Sequence, residues 1–196
     1  MEAGTAPKIG VLSLQGAVSE HARQLQKCGA EPVRVKKPHE MQEVEGLIIP
    51  GGESTTIGFL LEENGLMEAI KEKGRGGMPL WGTCAGMVLL ARRLEDGSLQ
   101  QPLLKLMNIT VKRNAFGRQK DSFETLLKIK GIEQPVRGAF IRAPMVTGTG
   151  EGVDILGEVE EGIVAVRKDN LLAASFHPEL TGDFSMHSYF LQMCRE

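Results

Sequence analysis

The sequence predicts an α/β fold, in which a mostly parallel sheet is flanked by helices and additional antiparallel strands lie in the C-terminal half. Two observations carry this prediction. In the first half of the chain, short apolar runs alternate with helix-compatible segments, which is typical of parallel strands joined by helical crossovers. After Asp96 the pattern changes to closely spaced runs of strand-forming residues, which favours antiparallel strands and hairpins.

The first half of the chain is predicted to form four strands with helices between them. A strand at residues 8–14 leads into a helix at 16–27, and Gly29 is the predicted C-terminal cap. Further strands are predicted at 32–36 and 46–50. Residues 54–73 favour a helix that breaks near Asn64 and Gly65. The fourth strand ends at Cys84, and a helical run at 87–91 follows.

The second half is predicted to form mainly strands and one closing helix. Strand-forming runs lie at residues 109–112, 122–129, 139–142, 153–159 and 163–167, and turn residues lie at 160–162 and 169–170. The closing helix covers 183–195, with Phe184, Tyr189, Phe190 and Met193 as its apolar side. Because no repeat or linker interrupts the chain, we expect one domain at 8–196 and a loose extension at 1–7.

The composition limits the class of protein. A chain of 196 residues with 41% hydrophobic and 24% charged residues is typical of one globular domain. The net charge of -2 argues against a nucleic-acid or anionic membrane surface, and no apolar run is long enough to span a bilayer. The cysteines at 28, 84 and 194 form no disulfide framework or metal-type pair, so we expect a cytoplasmic protein without a metal site.

Cys84 stands in the most informative segment, 82–86, where glycines flank Thr83-Cys84-Ala85 between an apolar run and a helix. A nucleophile elbow has this design, because the sharp turn leaves no room for side chains beside the nucleophile. A sulfur placed there faces the positive end of a helix, which favours the reactive thiolate. The alternative is a structural cysteine, since a free cysteine also packs as a small hydrophobe.

A histidine and a carboxylate follow the apolar run at 171–174, in His177-Pro178-Glu179. Pro178 disfavours the helical region for His177, so an extended chain is predicted, with His177 and Glu179 on one face. Glu179 can then hold one ring nitrogen of His177 while the other faces a thiol, as a general base requires. A surface ion pair is the alternative.

The loop at 50–55, Pro-Gly-Gly-Glu-Ser-Thr, follows a strand and opens a helix, so its backbone amides are free to face an anion. It lacks the Lys-Ser/Thr pair of a P-loop and the third glycine of a dinucleotide fingerprint. A glycine amide here can donate to an oxyanion, and Glu53 can accept a substrate ammonium. A plain turn with Ser54 as helix N-cap is the alternative.

Taken together, these motifs resemble the class I glutamine amidotransferase family, whose triad is cysteine, histidine and glutamate in that chain order. More narrowly, they resemble its glutaminase subunits of pyridoxal 5'-phosphate synthase. The resemblance rests on blocks at residues 12–16 with Glu20 and His21, 50–56, 82–86, 113–118, 140–144 and 175–181. It implies a single-domain, flavodoxin-like fold.

The resemblance also implies a reaction, the hydrolysis of L-glutamine to L-glutamate and ammonia through a γ-glutamyl thioester. Cys84 is the implied nucleophile, His177 the proton carrier and Glu179 the group that orients it. The backbone amides of Gly52 and Ala85 are the implied oxyanion donors. Substrate contacts are implied at Gly52, Glu53, Ser54, Arg113, Ile141 and Arg142. Glu53 suits the α-ammonium and one arginine the α-carboxylate; which arginine does so stays open.

The implied partner is a separate (β/α)8-barrel synthase subunit, which consumes the ammonia in vitamin B6 synthesis; no cofactor is implied. A barrel needs about 250 residues, more than this chain has. The Gly51–Gly52 peptide can rest with its carbonyl toward the site until the partner docks, and residues 14–16 are the candidate docking segment.

Two other hypotheses remain open. One is a different cysteine hydrolase on the same scaffold, such as a γ-glutamyl hydrolase or a glutaminase that serves another pathway. The block at 113–118 and the Leu-Gln-Gly segment at 14–16 argue against it. The other is a non-catalytic binding module in which Cys84 is only structural, and the presence of both His177 and Glu179 argues against that.

Overall fold

The helices and strands are taken from a computed structural model, which describes residues 5–95, 101–116 and 122–196. The strands are β1 (Lys8–Leu12), β2 (Glu31–Val35), β3 (Gly46–Ile49), β4 (Leu80–Thr83), β5 (Ala91–Leu94), β6 (Met107–Lys112), β7 (Ser122–Leu127), β8 (Val136–Ile141), β9 (Met145–Thr149), β10 (Asp154–Val159), β11 (Gly162–Lys168) and β12 (Leu171–Ala174). The α-helices are α1 (Val18–Lys27), α2 (Ser54–Glu63), α3 (Leu66–Arg75), α4 (Ala85–Leu90) and α5 (Ser185–Met193). Short 3-10 helices cover Pro38–Gln42 and Pro178–Leu180.

Ten of the described strands form one sheet in the order β2-β1-β3-β4-β12-β11-β9-β6-β5, with β10 paired to β11. The pairs from β2 to β12 are parallel, and those from β12 through β11 and β9 to β6 are antiparallel. Strands β7 and β8 form a separate antiparallel hairpin. The predicted fold class is therefore confirmed, including the antiparallel strands in the C-terminal half.

Both faces of the central parallel strands β1, β3, β4 and β12 are buried, as helical crossovers require. Along β3, Leu47 and Ile49 point into a cluster shared with α2 and α3, whereas Ile48 points into a second cluster with Leu25 of α1 and Phe190 of α5. This alternation follows from the two-residue period of a strand. The helices thus cover both faces and leave the strand ends for a site.

The glycine signals at the helix ends match the structure closely. Cys28 is the C-cap residue of α1, and Gly29 follows it with a φ of 79°, a conformation that glycine adopts without strain. The amides of Gly29 and Ala30 bond back to the carbonyls of Gln26 and Leu25, the pattern of a Schellman motif. Gly65, with a φ of 70°, separates α2 from α3 at the predicted break.

Some secondary-structure elements differ from the local predictions. The helical run predicted at 87–91 ends at residue 90, because Ala91 already begins β5, which pairs with β6 through long-range contacts that no local pattern reveals. Strand β9 was not predicted, and Gly148 within it lowers strand propensity. In the closing helix, Phe184 is 50% exposed, and Met186 and His187 are buried instead.

Candidate active site

A cleft of about 450 Å³ lies outside the carboxyl ends of β1, β3, β4 and β12, which are neighbouring parallel strands. The strand order reverses between β1 and β3, and ligands of open α/β sheets bind at such a switch point. All predicted site residues except Glu179 line the cleft, namely Gly52, Glu53, Ser54, Cys84, Ala85, Arg113, Ile141, Arg142 and His177. Glu179 lies behind His177, away from the cleft wall.

Cys84 sits at the corner between β4 and α4 with φ 47° and ψ -103°, a conformation that non-glycine residues rarely adopt. Its amide donates to the carbonyl of Ala174 at 2.8 Å, which ties the corner to β12. A Cβ at Gly82 would collide with the backbone of Gly86, and one at Gly86 would collide with the carbonyl oxygen of Ile49. The flanking glycines are therefore required by close packing. The strain at the corner costs about 1–3 kcal/mol, as is common at functional sites.

His177 enters the same cleft from the loop after β12. Its amide donates to the carbonyl of Ala139 in β8 at 2.7 Å, so the β7–β8 hairpin fixes its backbone. The preceding residue, Phe176, is buried against Phe140, with ring centroids 5.6 Å apart. The loop is thus held on both sides of the histidine.

The predicted extended conformation of residues 177–179 is wrong beyond His177. Pro178–Leu180 form a 3-10 helix, and His177, with ψ 87°, stays outside the helical region as the following proline requires. Nevertheless, Nδ1 of His177 lies 2.7 Å from Oε1 of Glu179. The two side chains meet because the tight turn folds Glu179 back beneath the ring, not because an extended chain aligns them.

The pair is buried, and each residue shifts the pKa of the other. Burial alone would lower the pKa of His177, but its contacts with Cys84 and Glu179 outweigh burial and raise the pKa to about 10. Burial would raise the pKa of Glu179, and the neighbouring histidines His21 and His177 lower it instead. The site therefore favours an imidazolium between an ionised carboxylate and the sulfur of Cys84.

The Gly51–Gly52 peptide has a defined orientation. The carbonyl oxygen of Gly51 accepts a hydrogen bond from the amide of Ala17 at 3.2 Å, on the β1 side of the loop. A trans peptide places its N–H opposite its C=O, so the Gly52 amide points toward the β4 side, where Cys84 lies. This is the reverse of the predicted resting orientation, with the carbonyl toward the site, and it suits an oxyanion donor.

Glu53 is the N-cap of α2, so the predicted alternative of a Ser54 cap is wrong. Its carboxylate accepts bonds from the amides of Thr55 at 3.1 Å and Thr56 at 2.7 Å. Burial would raise the pKa of Glu53, but these bonds and that from the Thr56 hydroxyl lower it. The carboxylate is exposed at the cleft and keeps unused lone pairs for a ligand cation.

Two arginines face the same cleft. Nη1 of Arg113 donates to Oε1 of Gln101 at 3.1 Å, and the hydroxyls of Ser54 and Thr55 donate to the same oxygen at 3.3 and 3.1 Å. Because arginine can only donate, the amide oxygen of Gln101 must face it. Arg142 is exposed and has a φ of 43°, a strained conformation at the end of β8.

A family profile and full-length relatives agree with this arrangement. The profile of the SNO glutamine amidotransferase family matches residues 11–196. The chain belongs to this family. It is 54% identical over 189 residues to "Pyridoxal 5'-phosphate synthase subunit PdxT" of Niallia circulans, covering 96% of this chain and 98% of that protein. It is 56% identical over 190 residues to the subunit of the same name from Dehalococcoides mccartyi, covering 96% and 97%.

A solved structure supports the family assignment. The chain superposes on a crystal structure of a glutamine amidotransferase with a TM-score of 0.91 and 43% sequence identity, covering 96% of this chain and 99% of that one.

Among the residues that the structure describes, no helix is both long and apolar enough to cross a bilayer. Within the same residues, no group of three or more His, Cys, Asp or Glu side chains is arranged to hold a metal ion.

Sequence reasoning missed three residues of this amidotransferase site. Gln15 lines the cleft, and its Oε1 accepts the amide of Glu53 at 2.9 Å, although the sequence suggested only a docking role for its segment. Gln101 holds Arg113 from a stretch without periodicity, so no local signal marks it. His21 is buried behind Glu179. It lies three and four residues before Gln24 and Leu25, so helical spacing could have predicted that it is on the buried face of α1. Arg118, part of one family block, lies outside the described residues.

Proposed function

We propose that this chain is the glutaminase subunit of a pyridoxal 5'-phosphate synthase, which hydrolyses L-glutamine to L-glutamate and ammonia and delivers the ammonia to the synthase subunit. The observation that carries the proposal is the shared cleft of Cys84, on its strained corner, and His177, backed by Glu179. The names of these relatives supply the pathway.

In the first half of the reaction, the thiolate of Cys84 attacks the side-chain amide carbon of glutamine. The carbonyl oxygen becomes an oxyanion, and we assign the amides of Gly52 and Ala85 as its hydrogen-bond donors. One such donor contributes about 3–4 kcal/mol to the transition state. The imidazolium of His177 then gives its proton to the departing nitrogen. Ammonia leaves, and a γ-glutamyl thioester and a neutral imidazole remain.

In the second half, the neutral imidazole of His177 takes a proton from water. The hydroxide oxygen bonds to the thioester carbon, the C–S bond breaks, and glutamate leaves. The thiolate and the imidazolium are thereby restored. Glu179 stays ionised through both halves, because its role is to orient the ring through Nδ1 and to stabilise the ring's positive charge.

The charged ends of the substrate match the charges at the rim. We assign the α-ammonium of glutamine to Glu53, whose carboxylate is exposed at the cleft. We assign the α-carboxylate to Arg113 and Arg142. Ile141, which is 41% exposed, offers an apolar surface for the methylene chain. Ser54 supports this wall through its bond to Gln101.

The proposal includes a partner, a location and a domain organisation. We propose that the partner is a (β/α)8-barrel synthase subunit and that the complex is cytoplasmic, where channelled ammonia escapes protonation. We also propose that residues 8–196 form one glutaminase domain, with 1–7 as an extension. The start of β1 at Lys8 and the ten-stranded sheet, which includes strands from both halves of the chain, support this division.

Glutamate and ammonia release from glutamine, measured with saturating synthase subunit, tests the proposal. The wild type should release both products in equal amounts, and Cys84→Ala should lose activity by about 10⁴-fold or more. Cys194→Ala is the matched control. Burial raises the pKa of the Cys194 thiol to about 12, so this cysteine stays protonated and should not react with a glutamine-analogue electrophile that labels Cys84. Unimpaired turnover by Cys84→Ala would overturn the proposed nucleophile.

A further inference from the structure

A buried polar cluster lies behind the Cys–His–Glu group and has no part in the mechanism above. It consists of His21 from α1, Thr83 from β4 and His187 from α5, all of them 0% exposed. Nδ1 of His21 lies 2.9 Å from Nε2 of His187, and Nε2 of His21 lies 3.2 Å from the hydroxyl oxygen of Thr83. Trp81 packs edge-on against both histidine rings.

The cluster reaches the second oxygen of Glu179. Oε1 of this carboxylate is bonded to His177, whereas Oε2 is buried and has no hydrogen-bond partner among the described residues. Nε2 of His21 lies 3.5 Å from that Oε2. A buried carboxylate oxygen needs a donor, because leaving it without one costs free energy. His21 is placed to supply that donor.

One arrangement of protons gives Oε2 of Glu179 a donor and is compatible with the contact between the two histidines. An ionised carboxylate only accepts, so Nε2 of His21 must carry a proton to interact favourably with Glu179. In a neutral His21 ring, Nδ1 is then the acceptor, and Nε2 of His187 must donate to it. Nδ1 of His187, which has no hydrogen-bond partner in the described part of the chain, is left without a proton. Every N–H in this chain of histidines therefore has an acceptor.

The surrounding charges agree with neutral rings. Burial is the largest influence on His21 and lowers its pKa; Glu179 and Glu20 oppose this effect, and His177 adds to it. Burial is also the largest influence on His187 and lowers its pKa well below the ordinary value. The positive charge of the site is thus kept on His177, next to the sulfur.

We propose that His21 is a positioning residue for glutamine hydrolysis, which holds Oε2 of Glu179 through its Nε2–H while His187 fixes its tautomer. Held at both oxygens, Glu179 keeps one orientation and directs His177 at Cys84. Thr83 joins the same cluster and directly precedes Cys84, so the cluster also links the nucleophile's strand to the carboxylate. This inference rests on the proposed glutaminase function.

Two substitutions of His21 separate positioning from packing. His21→Leu removes the donor at similar volume, and we expect kcat in the synthase complex to fall about 10- to 100-fold, as for outer-shell partners that orient metal ligands. The KM for glutamine should change little, because the cluster does not touch the cleft. His21→Gln places an amide N–H near the Nε2 position and should recover most of kcat. Leu25→Val, on the same helix and equally buried, is the packing control and should keep wild-type kcat.

A double-mutant cycle tests whether His21 acts through Glu179. In a Glu179→Gln background, His21→Leu should have little further effect on kcat, because there is no carboxylate left to hold. Equal fold-losses in both backgrounds would overturn the proposal. Wild-type kcat in a folded His21→Leu protein would also overturn it, as would equal losses in His21→Leu and His21→Gln.

Nitrogen NMR on the wild type tests the proton arrangement even if His21→Leu fails to fold. The chain has four histidines, so their ring signals can be assigned by single substitutions. At neutral pH, His21 and His187 should be neutral with the proton on Nε2. A cationic His21, or a proton on its Nδ1 in the neutral ring, would overturn the proposal. Failure of the glutaminase function itself would appear differently, as an inactive wild-type complex.

Discussion

The imidazole ring of His177 lies directly against Gly51, so closely that a Cβ at Gly51 would collide with its Cε1 atom. Gly51 has no positive φ, so its backbone conformation is open to other residues, and only the contact with His177 excludes a side chain. The oxyanion loop after β3 and the histidine loop after β12 are therefore fitted to each other. A methyl group between them tests this fit.

We expect Gly51→Ala to displace the His177 ring and to lower kcat by about 100-fold or more, since a misplacement of 1 Å can cost this much. The free energy of unfolding should change far less than activity does. Gly148→Ala is the matched control, because a Cβ there meets Thr110 at an ordinary 3.6 Å. Steady-state kinetics and thermal unfolding of both variants check this, and wild-type kcat in Gly51→Ala would contradict the observed fit.

The roles of His177 and Glu179 predict unequal losses. His177→Asn should be nearly as damaging as loss of the thiol, because no group is left to protonate the departing ammonia. Glu179→Gln should be milder, because an amide oxygen still accepts from Nδ1 but cannot stabilise the ring's charge; in subtilisin, losing the carboxylate costs about 100-fold less than losing the histidine. Matched kinetics in the synthase complex measure both. A greater loss in Glu179→Gln would reverse the assigned roles.

The hydrogen bond between Gln101 and Arg113 predicts that loss of the Gln101 side chain weakens substrate binding more than it slows turnover. Gln101→Met removes the oxygen that accepts from Arg113, Ser54 and Thr55 at similar side-chain length. Loss of a hydrogen bond to a charged group costs about 1.5–3 kcal/mol, so KM should rise about tenfold or more with a smaller effect on kcat. Gln42→Met, the same change at an exposed residue that accepts a bond from Lys73, should leave KM unchanged. An unchanged KM in Gln101→Met would exclude Arg113 from binding the α-carboxylate in this way.

The raised pKa of His177, about 10, predicts how activity depends on pH. The imidazolium of His177, which protonates the departing nitrogen, persists from neutral pH up to about pH 10. We therefore expect kcat/KM to stay level through pH 8–9 and to fall only above this range. A decline centred near the ordinary histidine value of 6.5 would show that the contacts with Cys84 and Glu179 do not hold the charge. Initial rates across this range, in buffers of constant ionic strength, provide the measurement.

The free energy of unfolding should also depend on the protonation of His177, in a direction that its raised pKa fixes. Because folding raises the pKa of His177, its protonation stabilises the folded state. This stabilisation is fully present below about pH 6.5 and is lost as the pH rises through about 10. The difference in free energy of unfolding between wild type and His177→Asn should therefore shrink from pH 6 to pH 10. A difference that grows over this interval would contradict the assigned charge.

The orientation of the Gly51–Gly52 peptide predicts activation by the synthase. The amide of Ala17 holds the Gly51 carbonyl on the β1 side, next to Gln15 and Gly16. Glycine permits the opposite orientation at little cost, so the free chain can sample both orientations. Partner contact at 14–16 should raise the population that holds the Gly51 carbonyl on the β1 side, and kcat/KM should therefore rise when synthase is added. Ala17→Pro removes the donor and should lower kcat even in the complex. Equal kcat/KM with and without synthase would exclude this switch.

Much of this protein follows from local patterns in the chain. The strand–helix alternation, the break at Gly65 and the hairpin turns at 160–162 and 169–170 are local features, and they predicted the fold class correctly. The elbow around Cys84 could also be predicted from the sequence, because it is marked by the glycines at 82 and 86. These glycines are required by contacts with the turn itself and with the adjacent strand β3.

Tertiary structure decided the features that depend on residues far apart in the sequence. Strand β5 exists because β6 pairs with it, and Glu179 meets His177 through a tight turn that the predicted extended chain did not contain. Gln101 holds Arg113, and His21 reaches Glu179, only because packing brings separate elements together. Sequence periodicity specifies which face of an element is buried, whereas the identity of the partner across that face is fixed only when the whole sheet has assembled.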